Sequence, residues 1–331
     1  MFAFTGWKRW RMPVVAFLGD VMLGRGVGEV IARDGTARLF SSELLSVLRE
    51  ADAVIANLEC CISPRGERWP DPEKPFFFRA PPAAVDALTA LGVCAVTLAN
   101  NHALDYGPEA LVDTLELLHE AGIATTGAGT NLAAARRPAR LRARDLTLTV
   151  IGCTDHPVEY GATETAPGVA YAKLHGSLDQ WVAEAISAHT GSSVIVTPHW
   201  GPNMVGAPIP RVRHAARALI DAGATLVAGH SAHVFHGVSG RVVYELGDFI
   251  DDYATHPDLR NDLGLVFFVE LAAGGPQEVA AVPIALDYCH TRLAKGDDAA
   301  WVRARFTAAC DALGTEVVVR DGRLVVDMRG T

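Results

Sequence analysis

The sequence contains no apolar run of the roughly 20 residues that a membrane-spanning helix needs. Cysteine is scarce, and the six cysteines are scattered without a CxxC pair, which argues against a disulfide-stapled scaffold and favours a reducing compartment. Basic residues are in deficit, because Lys and Arg total 29 against 38 Asp and Glu. The formal net charge of -9 leaves no basic footprint for nucleic acid or anionic membranes. We therefore expect a cytoplasmic protein with neither a nucleic acid nor a membrane partner.

Residues 1–12 lack the apolar segment and the small-residue cleavage site of an export signal. We expect them to form a disordered extension, and Met12, directly before the first strand-like run, is an alternative translation start. Residues 13–290 are predicted to form one domain, and residues 291–331 a C-terminal helix and hairpin appended to it. Half of the chain is hydrophobic, which suits a compact enzyme with a substantial core. No pattern in the sequence predicts an oligomeric state.

Histidine is concentrated in one segment, TLVAGHSAHVFHGV, which spans residues 225–238. An apolar run ends there in a glycine and is followed by His230, His233 and His236. Three imidazoles within this segment are dense for a chain with 12 histidines, and imidazole is the commonest metal ligand in proteins. The segment indicates a metal or proton-transfer site, and a turn with hydrogen-bonding histidines is the alternative.

Four upstream runs share this design: each is a short, apolar stretch of the kind that forms a strand buried on both faces. Each run ends at residues that bind metals or move protons. The ends are Gly19-Asp20, Asn57-Leu58-Glu59, Asn100-Asn101-His102 and Pro198-His199-Trp200. Since open α/β sheets bind ligands at the C-terminal edges of their strands, all five ends are predicted to converge on one pocket.

Helix-length segments lie between these runs, at residues 39–50, 83–91, 107–121, 176–188 and 211–222. The alternation predicts an α/β layered fold. After residue 240, strand-like runs over 242–246, 265–271 and 279–286 predict an antiparallel or mixed second half, and a helix over 299–313 precedes a hairpin around Asp321-Gly322. The irregular segments 63–82 and 154–172 are expected to cover the pocket.

Six motifs occur in order along the chain: GDVMLGRGV, ANLECCIS, LANNHALDYG, PHWG, GHSAHV and YELGDFIDD. In this order they resemble the CapA family of bacterial capsule and poly-gamma-glutamate synthesis proteins. That family is similar to the calcineurin-like metallophosphoesterases. The resemblance implies a four-layer α/β/β/α sandwich of the metallophosphatase type over residues 13–290, whose strand ends hold one or two divalent metal ions such as Mn, Fe or Zn.

The resemblance also implies roles for single residues. The metal ligands that it implies are Asp20, Asn101, His199, His230 and His233. His102 would take the place of the histidine that protonates a leaving group. Together with Asp20 and Glu59 it forms the predicted catalytic group.

The sequence departs from the phosphoesterase pattern at three places. Where the phosphoesterases have Asp-x-His, this sequence has Asp20-Val21-Met22. Asn57 stands where those enzymes have the aspartate that bridges two metals. Their Gly-His-x-His has one extra residue here, between His230 and His233. Glu59 is a candidate to replace the bridging aspartate. The sequence therefore leaves open whether two metals, one or none are bound.

Substrate is expected to be a small molecule, a peptide or a polymer. Arg25, five residues past Asp20, is predicted to clamp a phosphate or carboxylate at a helix start, and a surface arginine is the alternative. Asn57 and Asn100 are also assigned to substrate binding. Trp200 is assigned to the wall of the pocket, with simple packing as the alternative.

Three functions from different classes stay open at this point. The first is a metal-dependent hydrolase of phosphoester-like or polymer bonds. The second keeps the fold without metal and uses Asp20, Glu59 and His102 as acids and bases, for example to epimerise a peptide or glutamyl substrate. The third is a non-catalytic subunit for polymer synthesis or binding. The missing histidine of Asp-x-His favours the second and third functions. The intact His199, His230, His233 and Asn101, together with the resemblance, favour the hydrolase.

Overall fold

The computed structural model describes residues 12–189 and 191–329. The disordered extension predicted for residues 1–12 falls, apart from Met12, outside the described residues. The strands are β1 (Val14–Val21), β2 (Ala53–Leu58), β3 (Cys61–Ile62), β4 (Arg79–Ala80), β5 (Val93–Thr97), β6 (Ala124–Thr126), β7 (Ala128–Gly129), β8 (Ala139–Ala143), β9 (Leu146–Thr154), β10 (Gly168–Val169), β11 (Ser193–His199), β12 (Leu226–Ala228), β13 (Val238–Ser239), β14 (Val242–Val243), β15 (Asp248–Ile250), β16 (Leu263–Ala272), β17 (Gly275–Asp287), β18 (His290–Leu293), β19 (Val318–Arg320) and β20 (Arg323–Asp327).

The helices are α1 (Arg25–Asp34), α2 (Ser42–Leu48), α3 (Val85–Ala90), α4 (Gly107–Glu120), α5 (Leu132–Ala135), α6 (Gln180–Ser187), α7 (Pro210–Asp221) and α8 (Gly296–Asp311). Short 3-10 turns span Pro82–Ala84 and Val158–Tyr160. Among the helices described, none is both long and apolar enough to cross a membrane.

Two mixed sheets carry the fold. The larger sheet runs in the order β19-β20-β17-β16-β1-β2-β5-β6, with β15 beside β1 and β18 beside β17. The smaller sheet runs in the order β13-β14-β12-β11-β9-β8. Neighbouring strands are parallel from β1 to β6 and from β9 to β14, so their C-terminal ends share one edge in each sheet.

The side chains of the central strands alternate between two cores, as the two-residue period of a strand requires. On β1, Val15 and Phe17 face the smaller sheet, whereas Ala16 and Leu18 face helices α1 to α4. The far side of the smaller sheet packs against α6 and α7. The order of layers is therefore helix, sheet, sheet and helix, which confirms the predicted four-layer α/β/β/α sandwich.

A close backbone approach joins β1 to β15. A Cβ atom on Gly19 would lie 1.7 Å from the backbone oxygen of Gly247, and Gly247 itself has a φ of 76° that favours glycine. The Asp20 backbone N–H donates to that same oxygen at 2.8 Å. Two glycines thereby let β15 start beside β1, with Asp248 in register with Asp20.

The predicted long elements are present, and several local regions differ from the prediction. The helices expected over 107–121 and 211–222 correspond to α4 and α7, and the expected C-terminal helix and hairpin correspond to α8 and β19-β20. Hairpin β8-β9 and the short helix α5 had no counterpart in the prediction. The C-terminal elements join the main body, because β20 pairs with β17 and α8 contributes Phe306 to the core between the sheets.

Candidate metal centre and active site

The five predicted strand ends meet at one edge of the sandwich. Asp20 lies near the end of β1, and Asn57 and Glu59 lie at the end of β2. The other members are Asn101, His102, His199, His230 and His233, in the segments that follow β5, end β11 and follow β12. A backbone bridge between His199 and His230 joins the last two strand ends, and the side chains of Asp20, Glu59, His199, His230 and His233 are linked by the distances below.

Three carboxylates and one imidazole form the centre of this site. Ligand atoms of Asp20, Glu59, His233 and Asp248 all lie within 4.8 Å of one another, and all four residues are buried. The Nδ1 atom of His233 lies 2.8 Å from Asp248 Oδ1, 3.6 Å from Asp20 Oδ2 and 3.9 Å from Glu59 Oε2. Carboxylates packed this closely away from water are stabilised either by protonation or by a compensating positive charge.

The donor set fits a divalent cation. Among buried oxygens, Asp20 Oδ2, Asp248 Oδ2 and both carboxylate oxygens of Glu59 have no hydrogen-bond partner. Buried polar groups without partners are rare in folded proteins and are explained by a bound ion or by function. Carboxylates with an imidazole suit Mn, Fe or Zn. The residues present therefore fit the metal that the CapA resemblance implies.

The pKa values in this cluster record the crowding of charge. Burial, followed by the charge of Asp20, raises the pKa of Glu59 well above its usual value. Burial raises the pKa of Asp248 to about 6, although His233 opposes the shift. Burial opposes ionisation of His233, but the charges of Asp248 and Glu59 outweigh it and raise its pKa well above the usual range. A cation at this position would relieve the same repulsion.

Asp20 is held in one orientation by its neighbours. Its Oδ1 atom accepts hydrogen bonds from Asn57 Nδ2 at 2.8 Å and from His230 Nδ1 at 2.9 Å, which leaves Oδ2 for the cluster. Burial would raise the pKa of Asp20, but the His230 hydrogen bond and the nearby imidazoles hold it below its usual value. The role of His230 as a metal ligand stays a prediction, and Nε2 is the ring nitrogen left for it.

Asn57 and Asn100, which the sequence assigned to substrate binding, hydrogen-bond within the protein. Both residues are fully buried. Asn57 Oδ1 accepts from Asn100 Nδ2 at 2.9 Å, and Asn100 also bonds the backbone of Leu58 and His102. Because their polar atoms are used within the protein, these amides position Asp20 and His102, and their contact with substrate stays a prediction.

Two further residues of the predicted metal site, His199 and Asn101, have buried polar atoms without partners. Both ring nitrogens of His199 and the Oδ1 atom of Asn101 are buried without hydrogen-bond partners. His199 Nε2 lies 3.9 Å from Glu59 Oε1, and the ring of His156 lies 5.2 Å from that of His199. Burial and the neighbouring His156 hold the pKa of His199 well below its usual value, so the ring is neutral and able to bind a cation.

His102 is oriented by a buried carboxylate. Its Nδ1 atom lies 2.6 Å from Asp105 Oδ2, and Phe78 stacks on its ring at a centroid distance of 4.0 Å. Burial lowers the pKa of His102, although Asp105 opposes the shift. Asp105 also accepts from the Phe78 backbone, from Tyr160 and from Lys74 Nζ, the last at 3.0 Å. The neutral ring therefore donates through Nδ1 and keeps Nε2 free.

A cavity of about 520 Å³ adjoins the site. Its lining includes His102 and His233 together with Arg25, Phe78 and Tyr253. Arg25 Nε donates to Asp252 at 3.2 Å, and the guanidinium lies 5.5 to 5.8 Å from the centroids of three aromatic rings. Arg25 thus lies on the cavity wall, as an anion clamp requires, and its role in binding stays a prediction.

Two aromatic residues of the predicted site have structural roles instead. Trp200 is 1% exposed, and its Nε1 donates to the Tyr244 backbone oxygen, so it packs in the core beneath α7 and does not line the 520 Å³ cavity. His236, the third histidine of the dense segment, donates through Nε2 to the Val205 oxygen at 2.7 Å. For His236, the structure therefore agrees with the alternative interpretation of this segment, a turn whose histidines form hydrogen bonds.

Sequence reasoning missed Asp248 and the Asp105–Lys74 pair. Asp248 lies in the motif YELGDFIDD, which was recognised as part of the resemblance, but its place beside Asp20 depends on long-range strand pairing. Asp105 lies three residues after His102 within LANNHALDYG, a spacing that a histidine-carboxylate pair would have suggested. The predicted covering loops are in place, since residues 63–82 supply Lys74 and Phe78, and residues 154–172 supply His156.

Comparison with known proteins identifies related sequences. A family model described as bacterial capsule synthesis protein PGA_cap matches residues 14–253. The chain is 30% identical to a probable polyglutamine synthesis accessory protein of Mycobacterium tuberculosis over 93% of each chain. It is also 30% identical to the capsule biosynthesis protein CapA of Bacillus anthracis, over 72% of this chain and 59% of that protein. The PGA biosynthesis protein CapA of Bacillus subtilis is 30% identical over 72% and 63% of the two chains.

Two solved structures from Thermus thermophilus share weaker similarity. The sulfate thiohydrolase SoxB aligns with a TM-score of 0.40 and 14% identity, covering 79% of this chain and 45% of that one. The protein TT1561 aligns with a TM-score of 0.37 and 12% identity, covering 77% of this chain and 93% of that one.

Proposed function

Because the chain belongs to the bacterial capsule synthesis protein PGA_cap family, we propose that it is a metal-dependent enzyme that hydrolyses a phosphoester-like or polymer bond. Membership confirms the CapA resemblance of the motifs. The names of the relatives refer to capsule, PGA and polyglutamine synthesis. A glutamyl polymer, or a small molecule or peptide with the same bonds, is therefore the substrate class that we propose.

One observation carries this proposal. Four buried residues present ligand atoms within 4.8 Å of one another, and unpartnered carboxylate oxygens remain on three of them. A structural ion-pair network would satisfy these oxygens with hydrogen bonds. Oxygens that stay free at the edge where strands of both sheets end are the arrangement expected of a metal site.

Asp20, Glu59, His233 and Asp248 would hold the cation, and His199 lies beside the other oxygen of Glu59, with its Nε2 atom 3.9 Å from Oε1. A bound divalent cation supplies Lewis acidity toward a phosphoryl or carbonyl oxygen and a water of lowered pKa. The protein fixes where this chemistry occurs, because Asn57 and His230 lock the orientation of Asp20.

His102 is the residue that moves a proton in this proposal. Asp105 accepts its Nδ1–H, so the ring cannot turn, and Nε2 is left for the cavity that His102 lines. Neutral Nε2 accepts a proton from the attacking water and returns it to the leaving group, which lets one residue serve both steps. Arg25, on the same cavity wall, would bind an anionic group of the substrate.

A second candidate, metal-free epimerisation of a peptide or glutamyl substrate, is favoured by the position of His233. Its Nδ1 atom contacts Asp248 at 2.8 Å and lies 3.6 Å from Asp20. A protonated His233 would supply positive charge to the carboxylates, and Asp20, Glu59 and His102 would then work as acids and bases. The third possibility, a non-catalytic polymer-synthesis or binding subunit, predicts no turnover under any condition.

The experiment uses the purified full chain, stripped with chelator and reloaded with Mn²⁺ or Zn²⁺. Bis(p-nitrophenyl) phosphate reports phosphoester hydrolysis, and the chain length of poly-gamma-glutamate reports hydrolysis of polymer bonds. We expect turnover that chelator abolishes and metal restores, together with a higher unfolding midpoint of the loaded protein.

The same samples, incubated in D₂O with glutamyl peptides, separate the candidates. Deuterium at Cα without hydrolysis, in protein shown by elemental analysis to be free of metal, would establish epimerisation and overturn the hydrolase proposal. Absence of both reactions over a panel of phosphoesters and glutamyl polymers would favour the non-catalytic subunit.

We also propose that the protein works in the cytoplasm. All six cysteines have free thiols, and five of them are buried, which suits a reducing compartment. Recovery of the protein in a membrane fraction after a high-salt wash would contradict this location.

A further inference from the structure

The strand β19, near the C-terminus, forms one edge of the larger sheet. Among the described residues, β20 is its only neighbour in that sheet. Five large hydrophobic side chains are exposed in the described part of the chain, and two of them, Val318 and Val319, are adjacent on this strand. Residues 316–320, EVVVR, contain no proline or lysine, and no bulge interrupts the pairing with β20. Because such devices protect edge strands from pairing, their absence leaves this edge able to accept another strand.

The hairpin determines which backbone groups point outward from this edge. Its two-residue turn, 321–322, has φ angles of 51° and 78°, as in a type I′ turn. The flanking residues Arg320 and Arg323 are therefore a hydrogen-bonded pair, and every second residue before Arg320 also bonds β20. The N–H and C=O groups of Val319 point away from β20. Val317 continues the alternation, since its side chain packs on the core between the sheets, and its backbone groups also point outward.

One face of the edge carries charged side chains around a cavity. This cavity, of about 360 Å³, is lined by Glu316, Val318 and Arg320, which alternate along the chain and so share one face of the strand. Arg320 Nη1 donates to Glu278 Oε2 at 2.7 Å, yet the Arg320 side chain remains 45% exposed. Glu316 is exposed as well. The edge therefore presents a carboxylate and a guanidinium on either side of an exposed valine.

A second copy of the same strand matches this edge in charge. When a strand pairs antiparallel with its own copy, the pairing is symmetric about one residue. Symmetry about Val318 sets Glu316 opposite the partner's Arg320, and the same contact occurs a second time across the axis. Opposite charges at such cross-strand positions attract each other. The same register sets Val317 opposite the partner's Val319, so the outward backbone groups of both residues exchange hydrogen bonds.

The two adjacent registers lack this match. Symmetry about Val317 sets Glu316 opposite the partner's Val318, and symmetry about Val319 sets Arg320 opposite that same valine. In each case a charged side chain faces an apolar one, and the attraction between the strands is lost. Charge therefore selects the register that is centred on Val318.

We propose that β19 pairs with β19 of a second copy of this chain, antiparallel and symmetric about Val318, so that the larger sheet continues across a twofold axis. The proposal is independent of the metal site and of the proposed function. A pair of such short strands is a small contact compared with the roughly 1,200–2,000 Å² that stable complexes bury. The dimer is therefore reversible, and it forms at high protein concentration.

Sedimentation velocity of the full chain between about 5 and 500 µM tests the association itself. The wild type should shift from monomer to dimer over this range. Glu316→Arg places like charges opposite each other at both symmetric positions, so it should raise the dissociation constant about tenfold or more. Glu120→Arg is the matched control, because it makes the same exposed charge change on α4, which packs near β6 at the opposite edge of the sheet.

The control should dimerise like the wild type. A wild type that stays monomeric throughout, or a Glu316 variant that dimerises as tightly as the wild type, overturns the proposal and leaves the proposed function intact.

Cysteine cross-linking tests the register. Val318 and its copy form a non-hydrogen-bonded pair on the axis, with Cα atoms about 4.5 Å apart, a separation that a disulfide spans. Val319 is equally exposed, but it lies diagonally from its copy, roughly 7–8 Å away, which is too far for a disulfide. Mild oxidation should therefore link Val318→Cys into a covalent dimer and leave Val319→Cys and the wild type unlinked. Equal linking of the two variants, or none in Val318→Cys, overturns the pairing about Val318.

Discussion

Substitution of His102 distinguishes metal binding from proton transfer. Its side chain contacts Asp105 and Phe78, and it is not among the residues whose ligand atoms cluster around His233. His102→Ala should therefore keep the metal content unchanged and reduce kcat by about 100- to 10,000-fold, the usual loss on removing a proton-transfer group. Metal analysis and steady-state kinetics on the same preparation check this. His119→Ala, on the exposed face of α4, is the control, and parallel loss of metal and rate in His102→Ala would contradict the assignment.

His236 makes the fold sensitive to acid. Burial lowers its pKa to about 4, whereas an unfolded histidine titrates near 6.5. As the pH falls, His236 is therefore protonated in the unfolded state before it is protonated in the folded state. Its contribution to the free energy of unfolding is complete above about pH 6.5. That contribution decreases by about 3 kcal/mol in total as the pH falls toward 4. Urea unfolding should show that, between pH 7.5 and pH 5, the free energy of unfolding of His236→Gln decreases by about 2 kcal/mol less than that of the wild type. Parallel pH dependence of the two proteins would rule out this contribution.

The position of a site residue could be predicted where the local sequence pattern, an apolar strand-like run, ends at that residue. Asp20, His199 and His230 each follow an apolar run, and the parallel strands bring those ends together without further information. Asp248 was not predictable in this way, because it begins a strand and reaches Asp20 through the close approach of Gly19 to Gly247. His236 shares the histidine-rich segment with His233, but the backbone of the turn directs it to the Val205 oxygen.

Among the elements, the loop of residues 63–82 is tied to the site through one carboxylate. Lys74 Nζ bonds Asp105 at 3.0 Å and the Asn101 backbone oxygen at 2.9 Å, and its side chain is 13% exposed. Lys74→Met removes one partner of a buried ion pair, which costs about 3 kcal/mol. Hydrogen exchange over residues 63–82 should become about 100-fold faster, while exchange in β1 and β2 is unchanged.

Glu73→Gln is the control for that loop variant, because Glu73 is the neighbouring exposed charge. Its exchange rates should match those of the wild type. Equal acceleration in both variants would mean that the loop is held by its general charge and not by the Lys74–Asp105 contact.

Elements that the sequence did not reveal have weak local signals. Strand β8 has the sequence ARLRA with exposed arginines, so it resembles a loop until β9 pairs with it. Helix α1 contains two glycines, which disfavour a helix by about 1 kcal/mol each, and only its Arg25 end was anticipated. Burial of Val27 and Ile31 against the sheet compensates. Both elements form because of tertiary packing, and the local propensity of their residues does not predict them.

On the scale of the whole molecule, α8 connects the C-terminal segment to the core of the sandwich. Phe306 is fully buried, and its ring contacts those of Phe235 and Phe267 at centroid distances of 6.3 and 5.9 Å. Phe267 belongs to β16, and Phe235 precedes β13 of the smaller sheet. One side chain of the predicted appendage therefore contacts a strand of the larger sheet and the segment that leads into β13 of the smaller sheet.

Phe306→Ala should destabilise the entire protein by about 3–5 kcal/mol, because it removes a large ring from a packed core. If residues 291–331 fold with the rest, far-UV circular dichroism and tryptophan fluorescence will show one coincident urea transition at a lower midpoint. Val319→Ala is the control, since Val319 is 51% exposed on β19, and it should leave the midpoint unchanged. If residues 291–331 form an independent appendage, the Phe306 variant will instead show two transitions, with the larger one at the wild-type midpoint, since an independent main domain does not need the ring.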